Sequence, residues 1–268
     1  MALAVCITLL LSTANYPRAQ TAAGIAIRNV AYTGDVQLPA EETSRLTAQL
    51  KSADLYGPDW KTELEQRAMA FWQDHGYFKV AAPATVQPIT DVGGTHIFDV
   101  SFEVRAGKQY RLRNLEFRGA HVDVQALRRL IPIQTGDIFA RSKIVAGLDN
   151  LRRAYGELGY INFTSVPDTQ VNDAGGTIDL LIDLDEGPQY TVRNVDLTGI
   201  APELAATLRR RLLLRPGDVY NHRLAEYFFR QNADLLPRGS TPEKNLILTR
   251  DDVAHTVNLT YDFANTTR

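Results

Sequence analysis

The sequence predicts an α+β protein built from three tandem copies of one β-α-α-β-β unit, each a three-stranded mixed sheet with two helices on one face. Three observations carry that prediction: a motif that recurs at a near-constant interval, an apolar period that switches from strand-like to helical within each copy, and paired strand-like runs separated by polar or glycine-rich turns.

The repeat is clearest between residues 108–119 and 188–199, where Gln109, Tyr110, Arg113-Asn114 and Gly119 match Gln189, Tyr190, Arg193-Asn194 and Gly199 at an offset of 80. Downstream, Gly136-Asp137-Ile138-Phe139 matches Gly217-Asp218-Val219-Tyr220 at an offset of 81, so two independent anchors agree. A more diverged copy lies upstream. It opens with Ile27-Arg28-Asn29-Val30 and Gly34, and its Gly76-Tyr77 aligns with Gly159-Tyr160. The copies are expected over residues 25–106, 107–187 and 188–265.

Each copy opens with an alternating run, Tyr110, Leu112, Leu115 and Phe117 in the second and Tyr190, Val192, Val195 and Leu197 in the third. The alternation runs on both sides of the Arg-Asn pair, which predicts a first strand with a bend or bulge there. Helical spacing follows, with Leu204, Leu208 and Leu212 on one predicted helix and Ile144, Leu148, Leu151 and Tyr155 on the next. Asp59 and Asn221 stand where helix N-caps are wanted. Two strand-like runs then flank each turn: 79–89 and 96–104, 161–171 and 177–184, 245–249 and 256–263. Two helices between the first and second strands force a crossover, and the last two strands form a hairpin. The third strand is therefore expected at the centre of the sheet and the second at its edge. Pro83, Pro88 and Pro167 agree, because proline has no N–H to give a ladder. The run Asn245, Leu246, Ile247, Leu248, Thr249 has no proline and is the candidate edge for an incoming strand.

These motifs resemble the polypeptide-transport-associated (POTRA) repeats of the BamA/TamA outer-membrane assembly and translocation family. The residues that carry the resemblance are Tyr110, Arg113-Asn114, Phe117 and Gly119, the Gly136-Asp137-Ile138-Phe139 entry to the second helix, Tyr155 with Gly159-Tyr160, and the Glu186-Gly187-Pro188-Gln189-Tyr190 junction. Relatives of this kind usually continue into a membrane β-barrel, and 268 residues filled by three repeats leave no room for one. The resemblance implies a periplasmic array, associated with the outer membrane, that receives unfolded outer-membrane or secreted polypeptides by strand addition. A separate β-barrel subunit is a further implied partner. The rival expectation is a scaffold that docks an envelope partner without binding clients. Gly107, Tyr110, Glu186, Gly187 and Tyr190 are the expected inter-repeat joints.

Composition narrows the alternatives. Charges of 29 basic and 31 acidic residues leave a net of −2, which gives nucleic acid no overall electrostatic footprint. The one cysteine, Cys6, lies in an apolar run of 12 residues, 3–14, so residues 1–20 are expected to be an export signal and no disulfide or cysteine metal site is expected. The five histidines are scattered, without metal-ligand spacing, and no nucleophile elbow or phosphate loop is present, so the chain is expected to be non-enzymatic, with no cofactor and no small-molecule substrate. Gly136-Asp137 and Gly217-Asp218 are expected to be turn and helix-start residues. Arg209, Arg210, Arg211 and Arg215 form the strongest local charge feature and are the candidate contact for anionic lipid or a partner. Tyr227-Phe228-Phe229 occupies adjacent helical positions and is expected to pack in the core, with an exposed ring on a partner surface as the alternative.

Overall fold

The computed structural model describes residues 24–264; the expected export signal and Cys6 lie outside the described residues. In chain order the elements are β1 (Gly24–Asp35), α1 (Ala40–Lys51), β2 (Leu55–Tyr56), α2 (Trp60–Asp74), β3 (Ala84–Val92) and β4 (Thr95–Arg105). Then come β5 (Arg111–Arg118), α3 (Val124–Leu130), α4 (Arg141–Glu157), β6 (Thr164–Asn172) and β7 (Thr177–Asp185). The last are β8 (Thr191–Thr198), α5 (Pro202–Arg210), α6 (His222–Gln231), α7 (Pro242–Asn245), β9 (Leu246–Asp251) and β10 (Thr256–Asp262). The described chain falls into two compact units, one of residues up to Met69 with Ala81–Ala106 and the other of Ala70–Val80 with the chain from Gly107 onward.

The first unit holds a sheet of order β2-β1-β4-β3, in which β4 is central, parallel to β1 and antiparallel to β3. Three strands were expected here. The fourth, β2, is only two residues long and pairs Gly24 with Tyr56 and Ile25 with Leu55, too short to leave a periodic signature.

The second unit holds two sheets, of order β5-β7-β6 and β8-β10-β9, each with the third strand of its copy at the centre. The reason is visible along β7, where Ile178, Leu180, Ile182 and Leu184 are buried while Asp179, Leu181 and Asp183 face the other side. The buried row joins Leu127 of α3 and Ile144, Leu151 and Tyr155 of α4 in one core, so both helices cover the same face. In the other sheet Val257, Leu259 and Tyr261 of β10 meet Leu208 of α5 and Phe228 and Phe229 of α6. Full burial of each such side chain stabilises by about 1.5–3 kcal/mol, which sets the register of the central strands. Tyr227, the third of the adjacent aromatics, stays 43% exposed with Arg230 over its ring.

The predicted bulge recurs in all three sheets. Pairing shifts by one residue between Ile27 and Asn29, between Leu112 and Asn114, and opposite Val257/Asn258, where β8 passes from Val192 to Asn194. The extra residue is each time an arginine, on the sheet face away from the helices. Arg28 pairs with Asp99 through Nε at 2.9 Å, and Arg113 pairs with Asp179 in the same bidentate way through Nε at 2.8 Å. Those hydrogen bonds hold both carboxyls below the usual aspartate range. In the third sheet Asn258 replaces the aspartate, and Arg193 reaches Asp251 on β9 at 3.5 Å instead.

Two expectations are corrected. Asp137 and Asp218 do not serve helix starts: their carboxylates accept from the backbone N–H of Gln134 and of Arg215, three residues earlier, closing a tight turn ahead of α4 and α6. Ala140 and Asn221 precede those helices, and Asn221 does accept from the Leu224 N–H as a cap. Asn245 is not on an edge strand. It ends α7 and is buried, accepting from the Thr241 N–H at 3.0 Å and donating to the Asp262 carbonyl at 2.7 Å.

Candidate functional site

Among the longer rim strands, β5, β8 and β9 lack proline, but loop residues 136–139 and 217–220 hydrogen-bond along the outer edges of β5 and β8, which leaves β9 as the proline-free hairpin edge. It pairs only with β10, from Leu246 opposite Tyr261 to Asp251 opposite Thr256, so its other edge carries no strand among the described residues. The corresponding strands β3 and β6 contain Pro88 and Pro167, each of which removes one donor. Along β9 the side chains alternate, Leu246 and Leu248 half-buried and Ile247 and Thr249 exposed. Four of the five predicted edge residues, Leu246 to Thr249, are thus on the strand.

One end of β9 is held by the joint between the second and third copies. Arg250 donates to the Asn162 side-chain oxygen at 2.8 Å, and Asn162 donates to the Tyr190 hydroxyl at 3.0 Å, which in turn donates to Asp252 at 2.6 Å. The Tyr190 N–H bonds the Gly159 carbonyl at 2.9 Å, and the Gln189 amide bonds the Leu158 carbonyl at 2.9 Å. Within the same unit an identical pattern surrounds Tyr110: its N–H bonds the Gly76 carbonyl at 2.9 Å, its hydroxyl donates to Asp173, and Gln109 bonds the His75 carbonyl at 2.8 Å. Lys79 takes the place of Asn162 there and reaches Asp173 at 2.7 Å. Gly159 has φ of +84°, and an added Cβ would lie 2.8 Å from Val219 and 3.0 Å from the Tyr190 carbonyl oxygen, so a side chain at this position would wedge the joint open.

Tyr110 and Tyr190 thus each bond the glycine just past the preceding long helix, and a Cβ added to Gly187 would lie 3.4 Å from Asn162. Gly107 has open space around it. Glu186 is different from expectation: its partners, Tyr155 and His121, both belong to the second copy. Asn162, Asp173 and Asp252 were missed, because their roles come from contacts across long stretches of sequence. The repeated Gln-Tyr pairs were the available signal.

Arg209 and Arg210 end α5, Arg211 caps it, and Arg215 follows in a loop; all four are exposed. Between Glu203 and Asp218 they have no carboxylate for company. Arg211 also donates to the buried Asn232 at 3.3 Å, which makes it partly structural. Among the described residues no group of three or more His, Cys, Asp or Glu is arranged to hold a metal ion, and no helix is long and apolar enough to cross a membrane.

Comparison with known proteins agrees with this geometry. The POTRA family model, described as surface antigen variable number repeat, matches residues 110–187. The outer membrane protein assembly factor BamA of Buchnera aphidicola subsp. Acyrthosiphon pisum (strain APS) is 29% identical over 129 residues, 48% of this chain and 21% of that protein. A putative outer membrane protein assembly factor of Treponema pallidum (strain Nichols) is 23% identical over 197 residues, 69% of this chain and 23% of that protein. The chain thus spans between a fifth and a quarter of the length of these relatives. Among solved structures, POTRA3-5 of Haemophilus influenzae BamA is similar over 92% of this chain and 98% of that one, with a TM-score of 0.65 at 22% identity. Residues 110–187 thus match the POTRA family model, and the described chain is similar in fold to POTRA3-5 of Haemophilus influenzae BamA.

Proposed function

We propose that this chain acts in outer-membrane protein assembly or translocation as a non-catalytic periplasmic receptor, adding an extended segment of an unfolded outer-membrane or secreted polypeptide to the free edge of β9. The observation that carries this reading is the proline-free edge at Leu246–Thr249, and the names of the similar proteins support its setting. Main-chain hydrogen bonds bind any extended segment, which suits a receptor of many sequences. A few such bonds at about 1 kcal/mol net each give an affinity on the order of millimolar. A separate outer-membrane β-barrel subunit is the natural neighbour for such an array. Extended peptides taken from barrel strands should shift the amide resonances of β9, with smaller effects on β6. Unshifted β9 amides at millimolar peptide would refute strand addition.

A second reading has its own observation, the four exposed arginines of 209–215, a stretch with no Asp or Glu, beside the 39%-exposed Leu213. Here the chain is a scaffold whose α5 end rests on an anionic lipid surface. At about 1 kcal/mol per arginine near such a surface, replacing Arg209, Arg210 and Arg215 with glutamine should weaken co-sedimentation with phosphatidylglycerol vesicles on the order of a hundredfold at low salt. Arg211 is left intact because Asn232 depends on it. Equal sedimentation of both proteins would make the patch an ordinary solvated face. In intact cells, cross-linking should yield many partners for a client receptor and one dominant partner for a scaffold.

A further inference from the structure

The face of the β5-β7-β6 sheet that turns away from α3 and α4 carries a side chain the fold does not ask for. On that outer face Leu181 of β7 stands opposite Glu116 of β5 and Asp168 of β6, with Asp179 and Asp183 on either side of it along the strand. Leu181 is half-buried, and Val166, opposite Asp183, is 61% exposed. In the other two sheets the matching places, two residues past Asp99 and Asn258 at the bulge, hold Ser101 and Thr260. The sister strands thus form with hydroxyls there, and packing of the repeat does not require leucine.

Charge around Leu181 is half matched. Arg113 holds Asp179 through Nε at 2.8 Å and Arg118 holds Asp183 in the same bidentate way. Glu116 accepts from the neutral Asn114 side chain at 2.6 Å, and neither it nor Asp168 has an ion pair among the described residues. These two carboxylates sit on the neighbouring strands, about 5 Å to each side of the leucine backbone.

The complement is on the same chain. Arg209, Arg210 and Arg215 surround the 39%-exposed Leu213, and no Asp or Glu stands between Glu203 and Asp218. Arg210 is held by the neutral Thr207 hydroxyl at 3.3 Å. Both surfaces belong to one compact unit, and no hydrogen bond or ion pair joins them among the described residues. They are therefore placed to meet between molecules.

We propose that the outer face of the β5-β7-β6 sheet docks the α5 end of a second copy of this chain, with Leu213 against Leu181 and Val166 and the arginines against Glu116 and Asp168. An apolar centre and opposite charge on the two surfaces give such a contact its specificity and steer the approach. Few side chains take part on each side, so the association is weak and falls with salt. The free edge of β9 lies in another sheet and takes no part, so the inference stands apart from strand addition. An anionic lipid surface would compete for the same arginines.

The test is sedimentation equilibrium of the full chain up to about 1 mM, enough to half-form a millimolar complex. The mass should rise with concentration, and the association should weaken on the order of tenfold between about 0.02 and 0.5 M salt. Leu181→Thr, which installs the residue of the third copy, should weaken it severalfold with the thermal midpoint unchanged. One protein carries Arg209→Glu, Arg210→Glu and Arg215→Glu, and another carries Glu116→Arg and Asp168→Arg, all at exposed positions. Neither should self-associate, while their mixture should associate at least as tightly as the parent, because each supplies the charge the other lacks. A mass independent of concentration overturns the proposal, whether or not the arginines bind phosphatidylglycerol vesicles. Self-association that survives in either charge-reversed protein, or a mixture that stays monomeric, overturns the pairing of these two surfaces. Association indifferent to Leu181→Thr is charge attraction alone and overturns it as well.

Discussion

Gly119→Ala should destabilise the second repeat by roughly 2–5 kcal/mol, while Gly136→Ala in the same repeat should cost only about 1–2 kcal/mol. Both glycines have positive φ, +78° and +90°, so both substitutions force an L-residue into a left-handed backbone. They differ in what the new methyl group meets. At Gly119 the Cβ would sit 2.2 Å from the Leu184 carbonyl oxygen, a backbone atom at the end of the central strand that cannot swing aside; at Gly136 it would meet nothing within 4 Å. Subtracting one variant from the other leaves the steric part alone. Native-state hydrogen exchange at Ile178, Leu180 and Ile182 reads the second repeat without requiring the whole chain to unfold in one step. Equal exchange in the two variants would mean that β5 and β7 do not approach as closely as Gly119 implies. Gly34 and Gly199 occupy the matching places in the other copies, where a Cβ would fall 2.5 Å from the Val104 oxygen and 2.1 Å from the Ala264 nitrogen. One steric demand thus explains why a glycine stands at the end of each first strand, inside β1 at Gly34 and just past β5 and β8 at Gly119 and Gly199.

That demand is also why so much of the fold was legible. Among features set by neighbours in sequence, alternation, the Arg-Asn bulge and the closing glycine recur in each copy and announce themselves by offset, and proline marks the edge strand in the first two copies. Features set by contacts between distant segments did not. Asp137 and Asp218 stand just before helices, which suggests capping, but a turn that folds back three residues claims their carboxylates. The short α7 starts at Pro242, and with four residues it has no period to detect, so Asn245 was read as strand. A cleft between α4 on one side and α6 with β9 on the other joins a helix to elements that begin about 65 and 89 residues after it ends, and no single segment carries its signature. The third copy's Asn258, where the second has Asp179, shows the opposite case: the substitution is plain in sequence, but its consequence, the turn of Arg193 toward Asp251, needs the sheet register.

Glu186→Leu should cost the second repeat about 3–5 kcal/mol, and Glu186→Gln about 1–2 kcal/mol, with a change in the acid limb of stability in both. Glu186 is 7% exposed, and one carboxylate oxygen accepts from the Tyr155 hydroxyl at 2.7 Å and from the His121 backbone N–H at 2.9 Å. The other oxygen faces the His121 ring nitrogen at 3.1 Å. Leucine would leave the Tyr155 hydroxyl and the His121 N–H without acceptors in a nearly dry place, whereas the glutamine oxygen can still take both. Burial alone would raise the Glu186 carboxyl, but the hydrogen bonds from the His121 backbone, Tyr155 and the His121 ring outweigh it and bring it below the ordinary 4.5. A carboxyl depressed in the folded state binds its proton more readily when unfolded. Its contribution is therefore complete above about pH 4.5 and drains away as pH falls through the folded value. The parent protein should lose stability over that acidic window, and Glu186→Gln should show a shallower loss, measured by chemical denaturation of the two proteins from pH 6 down to about pH 3. Parallel curves would place the ionised form of Glu186 outside the forces that hold α4 against the start of α3. Because Glu186 sits immediately before Gly187 and the joint at Tyr190, its hydrogen bonds also fix where the third repeat begins. A shift of Tyr190 and Asn162 resonances in Glu186→Leu, larger than in Glu186→Gln, is the expected sign that the strand edge at β9 inherits its position from this buried carboxylate.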